Sequence, residues 1–333
     1  MKVNIKTISE KTGFSPATVS NALNRKKGVN IDTASKILRV AKELGYSNGH
    51  QNIRKIKFVI YKRNGLIIDD TPFFSLLIDG VEQECKKYGM EMVLCHLNYN
   101  DSDYEEQVDQ MIHDNSSAVI LLGTELMEED VKIYKTATCP FLMLDYWAWD
   151  MSFNGVLINN ADSARLAVDY LIQNGHKEIG YLQGSFRIKA FRSRCAGYKI
   201  AMEKAGLPIC DDFILTLGTT LNGAYEDMLR HLDRMQHIPT AFYADNDMIA
   251  LGAMKALQEK GKRIPEDVSI VGFDDLPFSE ISSPALTTLR VPKREMGQLA
   301  VKRIIDIIKG DKIKTKSQVC TAFIERKSVK RLT

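Results

Sequence analysis

Gly13-Phe-Ser-Pro-Ala-Thr-Val-Ser-Asn-Ala-Leu-Asn24 is the stretch from which the rest of the chain can be understood. Ser15 offers a side-chain oxygen to an orphan N–H of a first helical turn. Pro16 follows at the first helical position, where its fixed φ helps and its missing donor costs nothing. The spacing predicts a helix with Val19, Ala22 and Leu23 on one face and Ala17, Ser20, Asn21 and Asn24 on the other. That outer face is short, polar and nearly uncharged. Small side chains let a helix enter a major groove about 12 Å wide, and hydroxyl and amide groups can bond to phosphates or base edges.

Upstream, Asn4 can cap a helix from Ile5 to Thr12, and Gly13 breaks it at a position suited to positive φ. Downstream, Asp32 is expected to cap a third helix, whose Ala34, Ile37, Leu38, Ala41 and Leu44 close a three-helix core before Gly45. Two short helices around a glycine turn also occur without any role on DNA, so the turn pattern alone leaves both readings open. Charge separates them. Residues 1–57 carry twelve Lys and Arg against three Asp and Glu, a net of +9, leaving 33 against 39, or −6, for the remaining 276 residues. A basic head on an acidic body is an electrostatic footprint for a polyanion, which the whole-chain net of +3 hides.

Ser15-Pro-Ala-Thr18-Val19-Ser20-Asn21-Ala-Leu23-Asn24, followed by Ala41-Lys-Glu-Leu-Gly-Tyr46, resembles the DNA-binding head of LacI/GalR-family transcriptional regulators. The family pattern is Ser-x-x-Thr-Val-Ser-Arg-x-Leu-Asn and then Ala-x-x-Leu-Gly-Tyr at this spacing. The chain departs from it at Asn21, where the family usually has Arg, so one long-reaching charged contact does not carry over. By this resemblance the DNA-contacting residues are Ser15, Pro16, Ala17, Thr18, Ser20, Asn21 and Asn24. Arg54 and Lys55 are expected to meet phosphates.

With 333 residues the chain exceeds one small domain, and 44% apolar with 26% charged residues is ordinary for a globular protein. No apolar leader follows the first Met and no run approaches 18 apolar residues, so the expectation is a cytoplasmic protein without a membrane partner. Cys85, Cys95, Cys139, Cys195, Cys210 and Cys320 contain no C-x-x-C pair and are read as reduced thiols. Residues 47–55 read as a polar, basic linker.

Strand and helix patterns then alternate. Lys57–Tyr61, Met90–Cys95, Ala118–Leu122 and Pro140–Asp145 read as strands separated by helices at Phe73–Tyr88, Glu105–Asp114 and Glu128–Thr136. A second series of similar size begins after Val156-Leu-Ile158. Two such series predict an α/β core of two doubly wound parallel-sheet subdomains, preceded by the small all-α head. Ligands in such folds collect at the carboxyl ends of strands.

The resemblance extends here through Pro72-Phe-Phe74, Asn174-Gly-His176, Arg194-Cys-Ala-Gly-Tyr198, Asn246-Asp247, Pro265 through Asp275, and Ser283 through Thr288. It implies a periplasmic sugar-binding-protein-like core with effector in the cleft. The implied division is 1–46 for the head, 47–56 for a linker and 57–333 for the core. Its N-subdomain would take about 57–157 plus 290–320, and its C-subdomain about 158–289 plus 321–333. The implied effector residues are Phe74, Asp145, Arg194, Asn246 and Asp274. On the residues alone, Asn246 could equally cap a helix, Phe74 could be plain core and Asp274 could bind only its own loop amides. Arg194, without an obvious carboxylate partner at a helix start, could still pair with a nearby acid.

No G-x-G-x-x-G, Walker A, G-x-S-x-G or H-E-x-x-H motif is present, and the six histidines lack metal-ligand spacing. Neither an enzyme, a cofactor nor a metal is expected, and His176 is read as a packing residue. The expectation is a homodimeric regulator, a repressor, that reads a pseudo-palindromic operator in double-stranded DNA under a sugar-like effector. The alternative is a sugar-binding sensor without DNA-binding activity. Relatives place a helix with a leucine wedge between head and core. The short Ser47–Lys55 segment has no such leucine, so a non-helical linker is expected, unless Ile53 substitutes for it.

Overall fold

The computed structural model describes residues 3–23, 28–44, 53–69 and 71–332. Helix α1, Ile5–Thr12, is capped by Asn4, whose side chain accepts from the Thr7 N–H at 3.0 Å, and ends at Gly13 with φ 75°. Helix α2, Pro16–Leu23, starts on Ser15, whose Oγ accepts from the Thr18 N–H at 3.1 Å. Helix α3, Ile31–Glu43, departs from expectation at its start. Asn30, not Asp32, is the cap, its Oδ1 accepting from the Asp32 N–H at 2.8 Å. Asp32 lies in the first turn, where its charge suits the helix dipole. Ile8, Val19, Ala22, Leu23, Ile37 and Ala41 bury into a core of their own. The expected stop at Gly45 and residues 47–52 lie outside the described residues.

The core opens with β1, Lys55–Lys62, two residues earlier than expected, because Lys55 and Ile56 pair in register with both Glu91-Met92 and Ser117-Ala118. Then come α4 (Phe73–Lys87), β2 (Glu91–Asn98), α5 (Tyr104–Ile112), β3 (Ser117–Leu122), β4 (Phe141–Leu144) and β5 (Asn154–Ile158). The expected helix at Glu128–Thr136 is a 3₁₀ segment, Glu129–Thr136. The second series runs α6 (Asn160–Gln173), β6 (Ile179–Gly184), α7 (Lys189–Lys204), β7 (Ile214–Leu217), α8 (Leu221–Leu232), β8 (Ala241–Ala244), α9 (Asp247–Glu259) and β9 (Ser269–Val271). After α10 (Pro277–Ile281) the chain forms β10 (Thr288–Arg290), α11 (Lys293–Ile308), β11 (Lys316–Val319) and β12 (Ala322–Ile324).

Two wholly parallel sheets result, ordered β11-β5-β4-β3-β1-β2 and β7-β6-β8-β9, with β10 and β12 as an antiparallel ribbon. Central strands β3, β4 and β5 are buried along their whole length, as parallel strands covered on both faces must be. The chain passes between the sheets three times, after β5, after β10 and after β11, and α11 packs against α4. Gly80 and Gly297 permit that packing, since a Cβ on either would collide with the carbonyl oxygen of Arg294 or Leu77. No helix among the described residues is long and apolar enough to cross a membrane.

Candidate functional site

Each sheet reverses its strand order once, at β1 and at β6, and the loops leaving the carboxyl ends of both sheets meet in one cleft. Phe74 lies in the first turn of α4 after β1, Asp145 follows β4, Arg194 lies in α7 after β6, Asn246 follows β8, and Asp274 follows β9. All five expected effector residues line the same inner chamber, with Thr124, Ile67, Ile158, Ile188 and Phe191.

Asp145 holds a left-handed backbone, φ 59°, a conformation that aspartate tolerates better than most residues. Its carboxylate accepts from the Thr124 hydroxyl at 2.7 Å. Burial pushes its pKa up to about 6, against the opposing pull of Thr124 and Arg194. Asp274, at φ 109°, is likewise buried, and its pKa is raised by burial despite Arg194 and Lys293 nearby. Asn246 does cap α9, accepting from the Ile249 N–H at 3.0 Å, and the residue also lines the chamber. Capping and cleft lining are thus compatible at one residue.

Arg194 takes up the ion pair that its sequence position left open. Nη2 lies 3.4 Å from Asp274 Oδ1, Nε donates to Asn160 Oδ1 at 2.8 Å, Nη1 donates to the Asp245 carbonyl at 2.5 Å, and the guanidinium sits 3.5 Å over the Phe273 ring. Its fork is largely spent on the protein. Behind it Asp247 accepts from Leu276 N–H, Ser279 Oγ and Thr288 Oγ1 at 2.9, 2.6 and 2.6 Å. Burial raises its pKa to about 7. Lys293, at the start of α11, donates to the Asp274 carbonyl and lies 5.2 Å over the Phe73 ring.

The inner chamber encloses about 30 Å³, room for a water molecule or two. An outer chamber of about 180 Å³ shares Asp145, Ile158 and Ala190 with it and is flanked by Trp147 and Trp149. The rim is drawn together by Thr219 Oγ1 donating to the Leu66 carbonyl at 3.1 Å and by Lys189 pairing with Glu128 at 2.9 Å. Trp149 Nε1 donates to the same Glu128 carboxylate, with Lys189 Nζ 4.7 Å over its ring. These contacts bridge the rim between the two sides of the cleft.

Sequence reasoning missed Thr124, Asn160, Asp245 and Lys293. The Asp245-Asn-Asp247 triplet directly after a buried strand was the available signal for Asp245. His176 is a packing histidine, bonded through Nδ1 to Thr240 Oγ1 and through Nε2 to the Lys330 carbonyl, both at 3.0 Å.

On the head, Ser15, Pro16 and Ala17 are exposed, and Thr18, Ser20 and Asn21 are half-buried; Asn24 lies outside the described residues. Arg54 is exposed, but Lys55 belongs to β1, with Nζ 3.9 Å from Glu91. Ile53 is 7% exposed and packs into the core. In this conformation it cannot serve as the wedge that would replace a leucine.

Residues 168–329 match the periplasmic binding protein-like domain family. The chain is 30% identical to the HTH-type transcriptional repressor PurR of Actinobacillus pleuropneumoniae, covering 98% of each chain. It superposes on the transcriptional regulator CelR–cellobiose complex with TM-score 0.74 and 24% identity, over 98% of this chain and 99% of that one. It also superposes on a ribose-bound LacI family transcriptional regulator from Enterococcus faecium, with TM-score 0.69 and 26% identity, over 83% and 100%.

Proposed function

Because the chain belongs to the LacI/GalR family of transcriptional regulators, we propose that it is a homodimeric repressor whose heads read a pseudo-palindromic operator and whose cleft takes a sugar-like effector. The observation that carries the reading is the end-to-end similarity to a transcriptional repressor, which includes the helix-turn-helix head. Effector control is supported by the convergence of Phe74, Asp145, Arg194, Asn246 and Asp274 on one cleft, and by ribose in a solved relative of 26% identity. The head is assigned to 1–46 and the core to the two-sheet remainder. On the head, Ser15, Pro16, Ala17, Thr18, Ser20 and Asn21 are the proposed DNA contacts, with Arg54 on the adjoining backbone. A regulator of this kind works where the chromosome is, in the cytoplasm.

The test is a truncation. Since Ile53 and Ile56 are core residues, the cut belongs after residue 52 and not at 57. The shortened protein should keep its fold and its dimer while losing operator binding. For the intact chain, log affinity should fall linearly with log salt concentration as counterions are released. Specific operator binding by the truncated protein would overturn the assignment.

A further inference from the structure

We propose that the chain carries a second small-molecule site outside the cleft, a groove between the Glu129–Thr136 segment and the loop after β4, which takes a flat ring bearing one carboxylate. The proposal goes beyond the effector reading and does not depend on it. The groove has a volume of about 590 Å³, within the range of pockets that hold small ligands. Its apolar lining is Val131, Ala148 and Trp149, the first two buried and Trp149 72% exposed. Trp149 also flanks the outer chamber of the cleft, so one indole borders both spaces.

Two donors on this lining are unspent. Tyr146 is only 4% exposed and lines the groove, yet no hydrogen bond among the described residues reaches its hydroxyl. That oxygen is not sealed in, because among the described residues the one enclosed side-chain polar atom without a partner is the Tyr243 hydroxyl. A phenol that is nine-tenths buried, unpartnered and still reachable is a donor kept for a ligand. Burial, with the Glu128, Asp130 and Glu129 charges nearby, pushes its pKa up to about 12, so at neutral pH the O–H holds its proton and donates. Lys132 is the second donor. Glu128 pairs with Lys189, Glu129 with Arg63 at 3.1 Å and Asp150 with Lys135 at 2.5 Å, whereas no ion pair among the described residues reaches Lys132. One free ammonium and one phenol O–H call for acceptor oxygens that carry a single negative charge. A dianionic phosphate ester would meet three carboxylates on the same lining against one free cation. The strip of Val131, Ala148 and Trp149 adds the demand for a planar ring, which stacks best on indole.

The experiment uses the full chain with benzoate, 4-hydroxybenzoate and nicotinate, each matched by its neutral amide, read by calorimetry and saturation-transfer NMR. At least one carboxylate should bind, and its amide should bind at least about tenfold more weakly, a difference of about 1.4 kcal/mol. Lys132→Ala should shrink that gap several-fold. Tyr146→Phe removes an oxygen without a partner and keeps the packed ring, and it should weaken the carboxylate several-fold. Neither residue lines either chamber of the cleft, so these two losses locate the ligand in the groove. Melting temperatures of both variants, expected near that of the parent chain, separate a lost contact from a lost fold. Failure of all three carboxylates overturns the proposal. So does an amide that binds as tightly as its acid, or a carboxylate affinity unchanged in either variant. Operator binding on the same preparation keeps the two readings apart: if it persists while every carboxylate fails, only the second site is wrong.

Discussion

The two walls of the cleft are built on different plans. On the side of the four-stranded sheet, Arg194, Asn246 and Asp274 stand in front of a lattice in which Asp245, Asp247 and Asp275 are each held by two or more donors. On the side of the six-stranded sheet, Phe74 and Asp145 stand nearly alone, the carboxylate with one hydroxyl partner. A saturated polar network fixes geometry and is costly to break. An open carboxylate keeps its bonding capacity for a ligand. The difference assigns shape to one wall and chemical choice to the other.

The largest expected effect breaks the saturated wall. Arg194→Ala should cost about 3–5 kcal/mol of stability in urea denaturation, because it leaves Asp274 buried without its partner. A loss below about 1 kcal/mol would mean that the network does not fix this wall. Asp247→Ala should follow, at about 1–3 kcal/mol, since Ser279, Thr288 and the Leu276 N–H would lose their acceptor.

Acidity sharpens the comparison next. Asp145 and Asp247 have folded pKa values raised to about 6 and about 7 from 3.8, so the folded state binds protons more tightly than the unfolded one. Their contribution to stability is therefore fully present below about pH 4 and is lost as pH rises through 6 to 7. In the Asp145→Asn chain the fall between pH 5 and 8 should shrink by about 1–1.5 kcal/mol, measured by denaturation at each pH. An identical pH profile in both chains would refute the raised value. The smallest effect belongs to the rim: Thr219→Val should remove about 0.5–1.5 kcal/mol from closure and appear as faster effector release in stopped flow.

Local signals were legible in the sequence where one residue type serves one local need. Asn4 and Ser15 cap as read, and the strand–helix alternation follows from hydrophobic runs that a parallel sheet buries on both faces. The third helix was misjudged by two residues because Asn30 and Asp32 are both good caps, and backbone geometry chooses between them. The Glu129–Thr136 segment is 3₁₀, and Asp130 in it is claimed by the neighbouring Met127 N–H and by Tyr61 and Arg63, partners more than sixty residues away in sequence. The same distance hid the pairing of Arg194 with Asp274, 80 residues on. Lys316-Ser-Gln-Val319 is too short and polar to announce itself as the strand it becomes beside β5.

The buried Ile53 works as an anchor bolt for the head. Helix α3 closes near Leu44, which packs on the head's core, and the chain is fixed again at Ile53. Nine peptide steps join these points, so no conformation can carry the head more than about 30 Å from its anchor. Two heads reading major grooves about 34–36 Å apart on one face of the duplex must then do so from anchors on a common dimer, within that reach. The short tether sets a bound: with at most about 30 Å per head, the separation of half-sites that a dimer can span is capped by its anchor spacing plus two such lengths. Lengthening it with glycine and serine should relax the choice of spacing while leaving the choice of bases untouched.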